Sequence, residues 1–110
     1  MNNKTTVIST PLRSEVSAAA NALGHKWNAE ILYVLSLSPQ RFCQIQRSVG
    51  GVNPRTLSAR LDDLEAENIV SRQPMTDCAG DQYQLEQKGL DLLPAIEAMT
   101  SWGQKYSASA

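Results

Sequence analysis

The sequence predicts a mainly α domain with one small β-hairpin, in which a helix-turn-helix is followed by a hairpin wing. Three observations carry that expectation. Residues 42–64 hold two helical patterns separated by Gly50-Gly51. Two short extended runs, Ile69–Gln73 and Gln82–Glu86, follow at once and enclose the turn-forming Asp77, Ala79, Gly80 and Asp81. On either side of this block the apolar period is again helical, over about 14–37 and 87–105. At 110 residues the chain suits one domain with a modest core.

Taken in order, residues 1–13 are polar and β-branched without periodicity and read as a flexible N-terminal arm, leaving 14–106 as the domain. Pro11 and Ser14-Glu15 open a helix that runs to about Leu23, with Val16, Ala19, Ala20 and Leu23 on one face, and Gly24 ends it. His25-Lys26 bridge to a second helix over about Trp27–Leu37, given bulk by Trp27, Ile31, Leu32, Val34 and Leu35 and stopped by Pro39. Phe42, Ile45 and Val49 then mark one side of a short helix. Gly50-Gly51 break it by supplying the positive φ that a helix end needs. Asn53 caps the next helix and Pro54 takes its first position, where a missing N–H is no loss. Leu57, Leu61 and Leu64 form a narrow core-facing stripe on it, opposite Arg55, Ala59 and Asp62 and flanked by Thr56 and Ser58. The hairpin follows as the wing of a winged helix-turn-helix. Leu90, Leu93, Ile96, Met99 and Trp102 restore the helical period, and Pro94 should kink or divide that last helix.

Charge orients the second helix of the motif. Between Arg41 and Leu61 there are four arginines and no acid; from Asp62 to Glu67 there are four acids and no base. A helix basic at its start can enter a phosphate-lined groove end-on, with its acidic half pointing away. The net charge of −1 argues against a generic polyanion binder, so any affinity for nucleic acid must be local. No run approaches the length of a membrane span, and the first fifteen residues lack a signal-peptide core. Two cysteines, Cys43 and Cys78, are too few for a disulfide framework and too isolated for a zinc site, which suits a reducing cytoplasm. One histidine, no phosphate-binding glycine loop and no metal cluster argue against an enzyme, and no cofactor or metal is expected.

Motifs distributed along the chain resemble the HxlR family of bacterial and archaeal winged-helix transcription regulators. They are Gly24-His25-Lys26-Trp27 with Ile31-Leu32, Arg41-Phe42 with Ile45-Gln46, and Pro54–Leu61 with Leu64-Glu65. Ile69-Val70 with Arg72, Tyr83-Gln84-Leu85 with Lys88-Gly89, and Leu93-Pro94 with Trp102 complete the set, over roughly residues 14–103. The resemblance implies a homodimer built by the first and last helices that binds a palindromic operator in double-stranded DNA; the apolar runs, too short for a span, give no expectation of a membrane partner. Trp27, Leu93, Ile96, Met99 and Trp102 are the residues expected at the dimer interface; they are more large apolar surface than the outer helices of a small domain need. Two departures stand out. Many family members carry a sensing cysteine thirteen residues ahead of the Lys-Trp tryptophan, where this chain has Ser14. The wing tip, often basic in the family, holds Asp77 and Asp81 here, which would repel phosphate and limit wing contact to Arg72 and the backbone.

Arg55 and Thr56, just after Asn53 and Pro54, are the candidates for base-edge contact, since arginine pairs bidentately with guanine. Ser58, Arg60, Arg41 and Arg47 are expected on phosphates, where they position without specifying. Cys43, between Arg41 and Arg47, is the candidate redox residue, set against an inert thiol. A small-molecule effector is the other candidate for control. His25, at a helix end, reads as a surface residue. An adaptor that uses the winged helix for protein contacts without binding DNA is the competing reading; the acidic wing favours it and the acid-free Arg41–Leu61 opposes it.

Overall fold

The computed structural model describes residues 10–76 and 80–107. Helix α1 spans Thr10–Leu23, α2 Asn28–Leu37, α3 Phe42–Val49, α4 Pro54–Ala66, α5 Gln87–Leu90 and α6 Leu93–Tyr106. Strands β1 (Gln40–Arg41), β2 (Val70–Gln73) and β3 (Gln82–Leu85) form one antiparallel sheet in the order β1-β3-β2. Val70 stands opposite Leu85 and Gln73 opposite Gln82, while Gln40 pairs with Tyr83 on the other edge of β3. The fold is the winged helix-turn-helix that the patterning predicts.

Three local features differ in detail from the sequence reading. Helix α1 begins at Thr10, so residues 10–13 do not belong to an arm; Pro11 sits in the first turn, where its missing N–H breaks no helical bond. The rest of the expected arm, residues 1–9, lies outside the described residues. Strand β1 was not anticipated, because two residues are too few to show an alternating pattern. Its Gln40 is held by a hydrogen bond from its side-chain Nε2 to the Val34 carbonyl (3.0 Å). The final helix divides at Asp91-Leu92, and Pro94 occupies the first turn of α6 rather than an interior kink.

The core gathers Ile31, Leu32 and Leu35 of α2, Ile45 of α3, the three α4 leucines, Ile69, Val70, Tyr83 and Ile96. Helix α4 enters it because Leu57, Leu61 and Leu64 stack on one face. Its end is a Schellman turn: Asn68, at φ 63°, donates its N–H to the Glu65 carbonyl, and the Ile69 N–H reaches back to Leu64 (2.9 Å). Gly89 allows α5 to close on that turn, since a Cβ there would lie 2.5 Å from the Ile69 carbonyl oxygen.

Helices α1 and α6 extend beyond this body. From Ser14 through Asn21 every side chain of α1 is exposed, and α6 leaves the core after Ile96. The radius of gyration, 16.1 Å against about 13 Å for a compact chain of this length, records that projection. No described helix is long and apolar enough to cross a membrane.

Candidate nucleic-acid interface

The presentation of α4 is built from the turn before it. Gly50, at φ 73°, ends α3 with its N–H on the Gln46 carbonyl (3.0 Å). Gln46 Nε2 donates across the turn to the Val52 carbonyl (3.3 Å), and the Val52 side chain is buried. Asn53 Oδ1 then accepts the Thr56 N–H at 2.8 Å. With the leucines turned inward, Arg55, Ser58 and Asp62 project outward, and Thr56 and Ala59 are half-buried beside them. Arg47, in the last turn of α3, is exposed as well, and among the described residues neither it nor Arg55 has a partner. The outer start of α4 is therefore basic and polar, with charge uncommitted within the described chain.

Three other arginines expected on phosphates are engaged inside the chain. Arg60 lies five residues beyond Arg55, about 140° further round the helix, and so falls on the flank that faces the α1–α2 bridge. Its Nη2 meets Asp63 Oδ2 at 3.0 Å and its Nη1 lies 3.1 Å from His25 Nδ1. Arg72 on β2 is drawn to the acidic end of α4. Its Nη2 reaches Asp62 Oδ1 (3.1 Å) and Glu65 Oε1 (3.0 Å), its Nη1 faces Asp81 at 3.8 Å, and the guanidinium lies over the Tyr83 ring. The hydrogen bond to Glu65 raises the Arg72 pKa above its usual value. Burial does the same for the Tyr83 phenol, against the opposing pull of Arg72. Arg41 donates from Nη1 to the Gly80 carbonyl (2.9 Å), tying the start of α3 to the wing. The wing thus has its own charge hub, in which Arg72 is paired with acids of α4 and of the wing. Asp77, Cys78 and Ala79 at its tip lie outside the described residues.

The residues expected at a dimer interface also separate. Ile96 is 4% exposed and belongs to the core, and Trp27 and Leu93 pack against that core. Ile96 is therefore closed off from solvent within the single chain, on the helix that packs against α2. On the two outer helices the large apolar side chains left open are Met99, Trp102 and Tyr106 of α6 and Val16 of α1; Tyr33, Leu37, Met75 and Leu90 are open elsewhere. The Trp102 and Tyr106 rings lie 5.4 Å apart. Tyr106 was missed, although it extends the same row by one turn. Cys43 is an exposed free thiol in the first turn of α3. Asn28, also missed, is buried in line with Ile31, Leu32 and Leu35; a polar residue on that stripe was the signal.

Comparison with known proteins matches residues 22–110 to a family described as HxlR-like helix-turn-helix. An uncharacterised helix-turn-helix transcriptional regulator of Halalkalibacterium halodurans is 35% identical over 85 residues, covering 76% of this chain and 75% of its own. The transcriptional regulator YodB of Bacillus subtilis is 30% identical over 93 residues, covering 84% and 83%. The structure of reduced YodB superposes with a TM-score of 0.72 at 28% identity, over 94% of this chain and 99% of that one. The redox regulator HypR in its reduced form gives a TM-score of 0.79 at 26% identity, over 86% and 94%. YodB is also known in quinone-bound and diamide-treated forms, and HypR in an oxidised form.

Proposed function

The chain belongs to the HxlR-like helix-turn-helix family of transcriptional regulators, and from that premise we propose a sequence-specific DNA-binding regulator that acts in the cytoplasm as a homodimer on a palindromic operator. The observation that carries this reading is Arg55, exposed and uncommitted among the described residues in the first turn of a capped helix whose opposite face is locked in the core. Base edges fall to Arg55 and Thr56, and phosphates to Arg47 and Ser58, with Asn53 setting the turn that presents them. Residues 10–106, with α1 whole, act as one DNA-binding and dimerising unit. The row Met99, Trp102 and Tyr106 with Val16 of α1 supplies the dimer contact, because open apolar surface of this kind seeks a partner. A two-fold dimer would place its two α4 helices in successive major grooves about 34 Å apart.

Control through the thiol used elsewhere in the family does not extend to Ser14, since a hydroxyl has no accessible anionic form near neutral pH. Cys43 or a bound effector is left to carry any response. One feature favours the adaptor reading instead: the acids around Arg72 make the wing side of α4 a poor neighbour for phosphate. Titration of labelled duplex DNA at several salt concentrations separates the two. A regulator loses affinity steeply as salt rises, in proportion to the phosphates it neutralises. Absence of any salt-dependent binding, on random and genomic duplexes alike, leaves the adaptor.

A further inference from the structure

The bridge between α1 and α2 carries two side chains that stand beside the start of α4. Trp27 is the N-cap residue of α2, half-buried against the core. Its ring edge reaches the turn of the helix-turn-helix, where a Cβ placed on Gly51 would lie 3.9 Å from Trp27 Cη2. Gly51 stands just ahead of Asn53, the cap of α4. Lys26 is exposed, and its Nζ lies 4.8 Å from the centroid of the Trp27 ring. With half an indole between them, the two contacts together span no more than the roughly 12 Å width of the major groove that α4 would enter. A cation this close to the start of α4 stands over a wall of that groove, and the wall is lined by phosphate.

We infer that Lys26 binds a backbone phosphate beside the groove entered by α4, and that Trp27 holds it in place to do so. The inference rests on the regulator reading and adds a contact to the same face. The kind of partner it has sets Lys26 apart. Arg60, Arg72 and Lys88 each meet a carboxylate, which offsets their charge. An indole ring has no net charge, so it attracts the ammonium to its face and leaves it positive. The three N–H donors of that ammonium stay available for oxygen. Glu30, one turn further along, makes no ion pair with Lys26; it lines the groove between α2 and α6. Lys105 rests on Tyr106 in the same manner, but at the far end of α6, beyond the core. Among the lysines of the described residues, Lys26 is thus the one that joins Arg47 and Arg55 around the start of α4. A phosphate held there adds affinity without reading sequence, since it offers no base edge. Ordering the side chain on the ring before DNA arrives lowers what its immobilisation costs on binding. Trp27 thereby serves the DNA face rather than the dimer interface expected for it.

The test is fluorescence anisotropy of a labelled random-sequence duplex titrated with the full chain at several salt concentrations. Lys26→Ala should weaken binding by about fivefold near about 0.15 M salt and lower the slope of log K against log salt by about 0.9, the loss of one phosphate. Lys26→Arg should keep both at the wild-type level, because a guanidinium also stacks on an aromatic face and binds phosphate. Lys88→Ala removes an equal charge at the other end of α4, beside Glu67, and should leave the slope unchanged. Both positions are exposed, so the variants should fold as wild type by circular dichroism; Lys26→Gln, which keeps most of the stem, decides if Lys26→Ala does not. An unchanged slope in Lys26→Ala overturns the contact while leaving DNA binding in place. An equal fall in Lys88→Ala overturns it as well, since net charge alone would then account for the loss. A wild-type chain with no salt-dependent affinity for duplex overturns the regulator reading and this contact with it.

Discussion

Replacing Arg72 by alanine removes one guanidinium from three carboxylates and one aromatic ring, and the size of the loss can be worked from the contacts. The two pairs at 3.0 and 3.1 Å join an arginine side chain 34% exposed to Glu65 and Asp62, which are 39% and 64% exposed. Pairs so open to solvent contribute about 0.5 kcal/mol each, and the longer approach to Asp81 less. The cation over the Tyr83 ring adds about 0.5 kcal/mol. The sum is about 1–2 kcal/mol, which lowers the melting temperature of a domain this size by about 5–10 °C. A cation whose folded pKa is raised keeps that contribution at every pH below the ordinary arginine value and loses it only as pH rises through the still higher folded value. The loss in Arg72→Ala should therefore persist across the neutral and alkaline range, as far as other groups allow. Thermal melts by circular dichroism at low salt measure it, and Arg72→Ala in a Glu65→Gln background should cost less than in wild type, because the two residues are coupled. An unchanged melting temperature, together with a DNA salt slope lower by about one unit, would mean that Arg72 serves a phosphate and that the internal hub has been misread.

Arg55→Ala should cost about 1–3 kcal/mol on cognate DNA and flatten the preference at one base pair, whereas Arg47→Ala should weaken all sequences alike and lower the salt slope by about one. Equal losses on operator and scrambled DNA for Arg55→Ala would reassign it to a phosphate. Trp102→Asp should shift the chain toward monomer in sedimentation equilibrium at micromolar concentration, and a distribution identical to wild type sinks the role given to α6. Gly89→Ala drives a Cβ against the Ile69 carbonyl and two side-chain carbons at 3.1 Å, so it should destabilise by about 1–3 kcal/mol; a melt within error of wild type contradicts that packing. In a spectrophotometric titration one tyrosine, Tyr83, should ionise later than a free phenol. Its folded pKa is raised by burial, so its contribution to stability is complete below pH 10 and is lost as pH climbs through the folded value. All tyrosines titrating together near 10 would show that the phenol is open to water.

What the residues determined by themselves was the motif at the centre of the chain. Gly50, Asn53-Pro54 and the Leu57, Leu61, Leu64 spacing act within one or two helical turns, so they read correctly without knowledge of the rest. Family motifs along the chain extended that reading to the wing. The fate of individual charges was a different matter. Arg60 and Arg72 look like further members of a basic stretch, but one faces His25, 35 residues earlier, and the other meets α4 acids only because the sheet sets β2 beside that helix. Ile96 and Met99 share one helical period, yet the core buries the first and leaves the second open. Strand β1 exists only because β3 offers it an edge. Periodicity reports which side of an element is apolar. Which neighbour covers that side, and which opposite charge lies within reach of an arginine, depends on contacts distant in sequence, and these the tertiary structure alone decided.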